Sequence, residues 1–279
     1  MVGMKREMLV AGLLFFIILP IALGSACSWF KTKPEPSAEE NYDRGTEEFE
    51  DEDYQDAVPY FQKIIENYPF SKYALTSELK IAECYFLDEK YTEAIVHLQG
   101  FEELHPTNEH IPYIIWMKGV SYFKQSSTAD RDMTSLENAQ REFYKLQSRF
   151  PDSPYREKGD SVLKEVRKRL AEHDFYVAKF YYRDGQYQPA VRRLERIVDE
   201  YPDVEFKDRV FYYLGKSHFF LQNNDKARSA FSSLIEEFPK STYAPQAKMF
   251  LKDIDKGRFT IVSKYFRFKE RVLGWFGYE

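Results

Sequence analysis

Few residues of this 279-residue chain are placed to do covalent chemistry. Cys27 and Cys84 are its only cysteines. Cys27 closes a small-residue run, Gly24-Ser25-Ala26, after an apolar stretch from Met8 to Leu23, so its thiol stands where an acyl group can be attached. Cys84 sits beside Ala82 and Tyr85 on a helical face, the setting of a buried structural thiol. The five histidines, His97, His105, His110, His173 and His218, are scattered and make no HExxH-like pair. Paired cysteines at metal-ligand spacing and a glycine-rich phosphate loop are both absent. Carboxylates are abundant, but on amphipathic helices they read as solvated faces. No catalytic, metal or cofactor site is expected, and the chain reads as a scaffold and not as an enzyme.

The residues suited to non-covalent recognition are aromatic. Phe49, Phe86, Phe123, Tyr182 and Phe219 occupy equivalent places in five repeated segments. Tyr113, Trp116, Lys179, Tyr212 and Lys216 map to the same inward side by the same count. Rigid rings bury a large area at little entropic cost, so such a ladder can anchor an extended peptide. The other reading is that these rings pack between neighbouring helices. Asp130-Arg131-Asp132, in a long hinge, either pairs with Arg192, Arg193 or a partner, or is a solvated loop.

The elements that must position these side chains are helical repeats. The segments IIENYPF, FEELHPT, LQSRFPD, IVDEYPD and IEEFPKS end amphipathic stretches at Pro69, Pro106, Pro151, Pro202 and Pro239, roughly 40 residues apart. The cleanest unit runs from Ala171 to Pro202. It places Ala178 at position 8, Tyr181 at 11, Gly185 at 15, Tyr187 at 17, Ala190 at 20, Leu194 at 24 and Ile197 at 27. Small residues at 8 and 20 let two helices approach, bulky ones fill the gaps beside them, and Gly185 supplies a left-handed turn. Proline then stops the second helix. The pattern resembles the tetratricopeptide repeat. The expected fold is all-α: a tetratricopeptide-repeat superhelix of about five helix pairs plus a C-terminal capping helix. Units fall at roughly 38–69, 75–106, 112–151, 171–202 and 208–239, with a cap at 241–256.

Lys5-Arg6, the apolar run and Cys27 together resemble the lipobox of bacterial lipoproteins. Residues 1–26 are then a signal peptide, Cys27 is the acylated N-terminus, and 27–37 form a tether. An uncleaved anchor or an ordinary signal peptide is the alternative. The chain is acidic, net charge −5, and loses more base than acid with residues 1–26, which argues against nucleic-acid binding. Residues 257–279 are basic and aromatic; they cap the repeats, dock on a partner or lie on a membrane surface.

Beyond the generic repeat, NYPFSKYA at 67–74, HPTNEHIPYIIWMKGVSYF at 105–123, DRDMTSLENAQREFYKL at 130–146, RFPDSPY at 149–155 and RKRLAEHDFYVAKFYYRDGQYQPAVRRLE at 167–195 carry a closer resemblance. They are similar to the BamD family, the tetratricopeptide-repeat lipoproteins of the outer-membrane β-barrel assembly (BAM) complex. The resemblance implies a lipid-anchored, non-catalytic protein at the periplasmic face of the outer membrane. Implied partners are the barrel-inserting subunit, unfolded barrel precursors and other accessory lipoproteins. Units one and two would take precursors, and units four and five the barrel subunit. The other functional reading is a periplasmic repeat lipoprotein that scaffolds a cell-envelope or division complex.

Overall fold

The computed structural model describes residues 35–126 and 133–257. Cys27 with residues 1–26, the Asp130-Arg131-Asp132 segment and residues 258–279 lie outside the described residues. Among the described residues there are eleven α-helices and no strand. The described residues form two compact units, divided between Ser77 and Glu78.

In the first unit, α1 (Ala38–Glu50) and α2 (Tyr54–Asn67) form a hairpin of two packed helices. Ser37 caps α1 by accepting from the Glu40 backbone N–H at 3.1 Å, with Glu39 and Glu40 in the positively polarised first turn. Phe61, fully buried, fills the space beside Gly45. Tyr42 stacks on Tyr73, whose hydroxyl donates to Glu39 at 2.9 Å. The next helix, α3 (Ala74–Leu87), begins after the turn at Pro69.

In the second unit, α4 (Tyr91–Leu104), α5 (Ile111–Gln125), α6 (Thr134–Arg149), α7 (Pro154–Arg183), α8 (Tyr187–Glu200), α9 (Lys207–Phe220), α10 (Asn224–Glu237) and α11 (Ala244–Asp255) each pack on the next. In addition α5 packs on α7 and α7 on α9, so the first helices of successive repeats touch. α7 starts at Pro154, well before the Ala171 from which its repeat was counted, because Ser153 caps it and accepts from the Tyr155 N–H. The last described helix, α11, covers α10.

Two regularities explain how the helices pair. The first is steric. A Cβ on Gly119 would stand 2.7 Å from the Phe143 ring, and one on Gly215 would stand 2.6 Å from Phe231. Where the first helix carries alanine at that place, the second carries leucine: Ala82 with Leu98, and Ala178 with Leu194, all buried. At repeat positions 8 and 24 glycine therefore goes with phenylalanine and alanine with leucine, which conserves the summed volume.

The second regularity lies in the hinges. Glu52, Glu89, Gly185 and Gln222 have φ of 64°, 58°, 78° and 63° and share repeat position 15. The residue after each donates back five places, as Lys90 N–H does to Tyr85 C=O and Gln186 N–H to Tyr181 C=O, both at 2.9 Å. This is the Schellman closure of a helix end. Three of the four residues are not glycine, which is why only Gly185 announced its turn in the sequence.

Candidate functional site

Most of the aromatic ladder belongs to these hinges. Phe49 lies edge-on to Tyr54 at 5.5 Å, Phe86 to Tyr91 at 5.9 Å, and Tyr182 to Tyr187 at 5.6 Å. In these three units the ring at position 12 thus clamps the first residue of the following helix. Tyr182, Tyr212, Lys216 and Phe219 are buried. Phe219 packs on Phe250 of α11, and Tyr212 stacks on Tyr243. The Lys216 side chain has no exposure; its ammonium lies 4.7–5.4 Å from the Tyr182, Tyr212 and Tyr213 rings, which accept its charge. Half-buried Lys179 faces Tyr213, and the Arg169 guanidinium covers Phe123 at 4.7 Å. Arg193, one of the bases suggested for the hinge acids, is bonded to Asp174.

Phe86, Tyr113 and Trp116 are brought together. On α5, Tyr113 and Trp116 stand one turn apart and stack at 5.9 Å, 18° from parallel. Phe86 reaches Trp116 from α3 at 6.5 Å. The first turn of α7 adds Tyr155, 5.1 Å from Tyr113 and 5.9 Å from Trp116. Lys158, one turn on, holds its ammonium over Trp116 and Tyr155 at 5.8 and 5.2 Å. The Tyr113 hydroxyl donates to Glu83 at 3.1 Å; burial, then the Glu83 charge, pushes this phenol up from its ordinary value. The Trp116 indole N–H is buried and has no hydrogen-bond partner. A buried donor left unsatisfied is uncommon and marks a place where an acceptor is wanted. Tyr155 and Lys158 were not anticipated: they lie between counted repeats, and only the Ser-Pro helix start could have placed them i, i+3 on α7.

Beyond Tyr155 opens a cleft of about 450 Å³, lined by Glu109, Pro112, Arg149, Phe150, Asp152 and Tyr155 among others. Arg149 is held at 3.2 Å by Glu102, which belongs to a buried ionic cluster. Lys118 lies 3.2 Å from both Glu102 and Glu142, and Lys145 lies 2.7 Å from Glu102. Burial alone would raise the Glu102 carboxyl, but hydrogen bonds and charge from Lys145 and Lys118 hold it below its ordinary value. A carboxyl depressed in the folded state stabilises above its unfolded pKa and loses that contribution as pH falls through the folded one. Glu102→Gln is therefore expected to flatten the acid limb of a melting-temperature profile below about pH 4.5. A parallel fall in variant and parent would refute that role. Cys84, by contrast, is inert: burial pushes its thiol up to about 12. Among the described residues no group of three or more His, Cys, Asp or Glu is placed to hold a metal ion. No described helix is long and apolar enough to cross a membrane.

A family model described as outer membrane lipoprotein, YfiO, matches residues 34–229. The chain belongs to the YfiO family. Among similar family members is the outer membrane protein assembly factor BamD of Neisseria gonorrhoeae, 24% identical over 251 residues, covering 83% of this chain and 94% of that protein. BamD of Rickettsia prowazekii is 26% identical over 212 residues, covering 76% and 84%. Of solved structures, a tetratricopeptide repeat protein of Parabacteroides merdae is 14% identical, with a TM-score of 0.38, covering 90% of this chain and 99% of that one.

Proposed function

We propose that this chain is a non-catalytic scaffold of outer-membrane protein assembly, held at the periplasmic face of the outer membrane by lipid on Cys27. Its aromatic site takes extended segments of unfolded barrel precursors, its last two helix pairs hold the barrel-inserting subunit, and other accessory lipoproteins join them. Family membership supports the setting, since its relatives are assembly factors. The observation that carries the binding role is the Phe86–Tyr113–Trp116–Tyr155 cluster with its unpartnered indole N–H. An extended segment supplies what the cluster lacks: side chains for the ring faces and, once the half-buried Trp116 ring turns outward, a backbone carbonyl for the indole.

Trp116→Phe keeps a ring and removes the donor. It is expected to weaken binding of a labelled, aromatic-rich precursor peptide about tenfold, the worth of one buried hydrogen bond. Stability should change little, because an unsatisfied donor disappears as some ring area is lost. Unchanged affinity by fluorescence anisotropy would remove the cluster from the mechanism. Co-purification from gently solubilised envelopes tests the setting: a stoichiometric β-barrel insertase is expected, and its absence would move the scaffold to another envelope complex.

A further inference from the structure

The outer face of α4 has no occupant. This helix carries no Lys or Arg, and its exposed positions include Glu93, Val96, Gln99, Glu103 and Leu104. Val96 is 64% and Leu104 71% exposed. Midway between them, four residues from each, stands Gly100. A Cβ there would meet nothing within 4 Å, whereas those at Gly119 and Gly215 would collide with rings. Glycine is a poor helix former, so one in mid-helix with open space beside it has no reason within this chain's described packing. An apolar–glycine–apolar stripe lets a second backbone come close while two flanking side chains are buried.

Charge narrows the occupant. Glu93 and Glu103 flank the stripe; before the helix stand exposed Glu89 and then Lys90, which is paired with Asp88 at 2.9 Å. Two copies of this face would oppose like charges, which disfavours self-pairing. Residues 258–279 have the complementary character. They contain Arg258, Lys264, Arg267, Lys269 and Arg271 against Glu270 and Glu279. Val262, Tyr265, Phe266, Val272, Leu273 and Phe276 recur there at helical spacing. The helix that precedes it, α11, offers that segment a poorer surface, because its exposed side carries Lys248 and Lys252 around Met249, and its exposed acid, Asp255, is already paired with Arg228 at 2.6 Å.

We propose that the outer face of α4 is the docking site of residues 258–279 of this chain, with Gly100 at the closest approach. The test uses the full chain with a photo-crosslinking phenylalanine analogue at Gln99, followed by digestion and mass spectrometry. Crosslinks are expected to fall within 258–279. A crosslinked monomer is expected, which identifies the same chain as the source; a crosslinked dimer would assign the face to a second copy and overturn the proposal. Val96→Glu with Leu104→Glu should lower the yield about tenfold or more, since two buried apolar contacts become charged and repelled. Both positions are exposed, so an unchanged melting temperature checks that the variant is folded. Gly100→Leu should lower the yield in the same way by filling the approach. Crosslinks outside 258–279, no crosslinks, or a yield indifferent to these changes would overturn it.

Discussion

Replacing Arg193 and Arg196 together by alanine is expected to destabilise the second unit by about 3–5 kcal/mol, the cost of leaving a buried charge uncompensated. Asp174 on α7 has no exposure. One of its oxygens accepts from Arg193 Nη1 at 2.8 Å, and the other from Arg196 Nε at 2.7 Å and from Arg196 Nη2. The two arginines stand one turn apart on α8 and remain partly exposed. The site is therefore asymmetric. Without Asp174 both guanidinium groups can turn to water, but without the arginines the carboxylate has nowhere to go. Asp174→Leu should accordingly cost less than the double arginine variant, and Arg193→Ala less than Arg196→Ala, which removes two of the three bonds. Urea unfolding of the four variants reads this order directly. A double variant within about 1 kcal/mol of the parent would mean that water already reaches Asp174.

The second large effect is steric. Gly215→Ala gains about 1 kcal/mol of helix propensity in isolation. Here it is expected instead to lose about 1–3 kcal/mol, because its Cβ would lie 2.6 Å from the Phe231 ring, and that ring is fully buried with no room to withdraw. Phe231→Leu in the same chain should recover much of the loss by recreating the alanine–leucine pairing of Ala178 with Leu194. Phe231→Leu alone opens a cavity and should destabilise. The sign of the coupling is the test: the double variant must be more stable than Gly215→Ala alone. Additive losses would mean that the two helices simply move apart.

The repeat architecture was legible because prolines and small residues act locally. Gly185 and the proline after each second helix need no tertiary context to be read. The hinges at Glu52, Glu89 and Gln222 were not legible as left-handed turns, since nothing in a glutamate or glutamine asks for positive φ; closure of the helix end imposes it. The site was half legible. Periodicity put Tyr113 and Trp116 on one side of a helix but could not tell half-buried from buried rings. That distinction depends on what the adjoining repeat presents. At Tyr182, Phe219 and Lys216 the neighbours are Tyr213, Phe250 and three tyrosine faces, so the apparent surface became core. Tyr155 and Lys158 fell outside the repeat count, and a register defined by repeats does not address residues between them.

The alternation of glycine–phenylalanine and alanine–leucine contacts limits how these repeats can be recombined. A chimera that exchanges only one helix of a pair between a glycine–phenylalanine unit and an alanine–leucine unit would oppose alanine to phenylalanine, which clashes, or glycine to leucine, which leaves a void. Between unlike units the smallest exchangeable piece is therefore a whole helix hairpin. Repeat duplication, unit shuffling and grafting between family members should succeed at the proline-bearing turns and fail at the hinges.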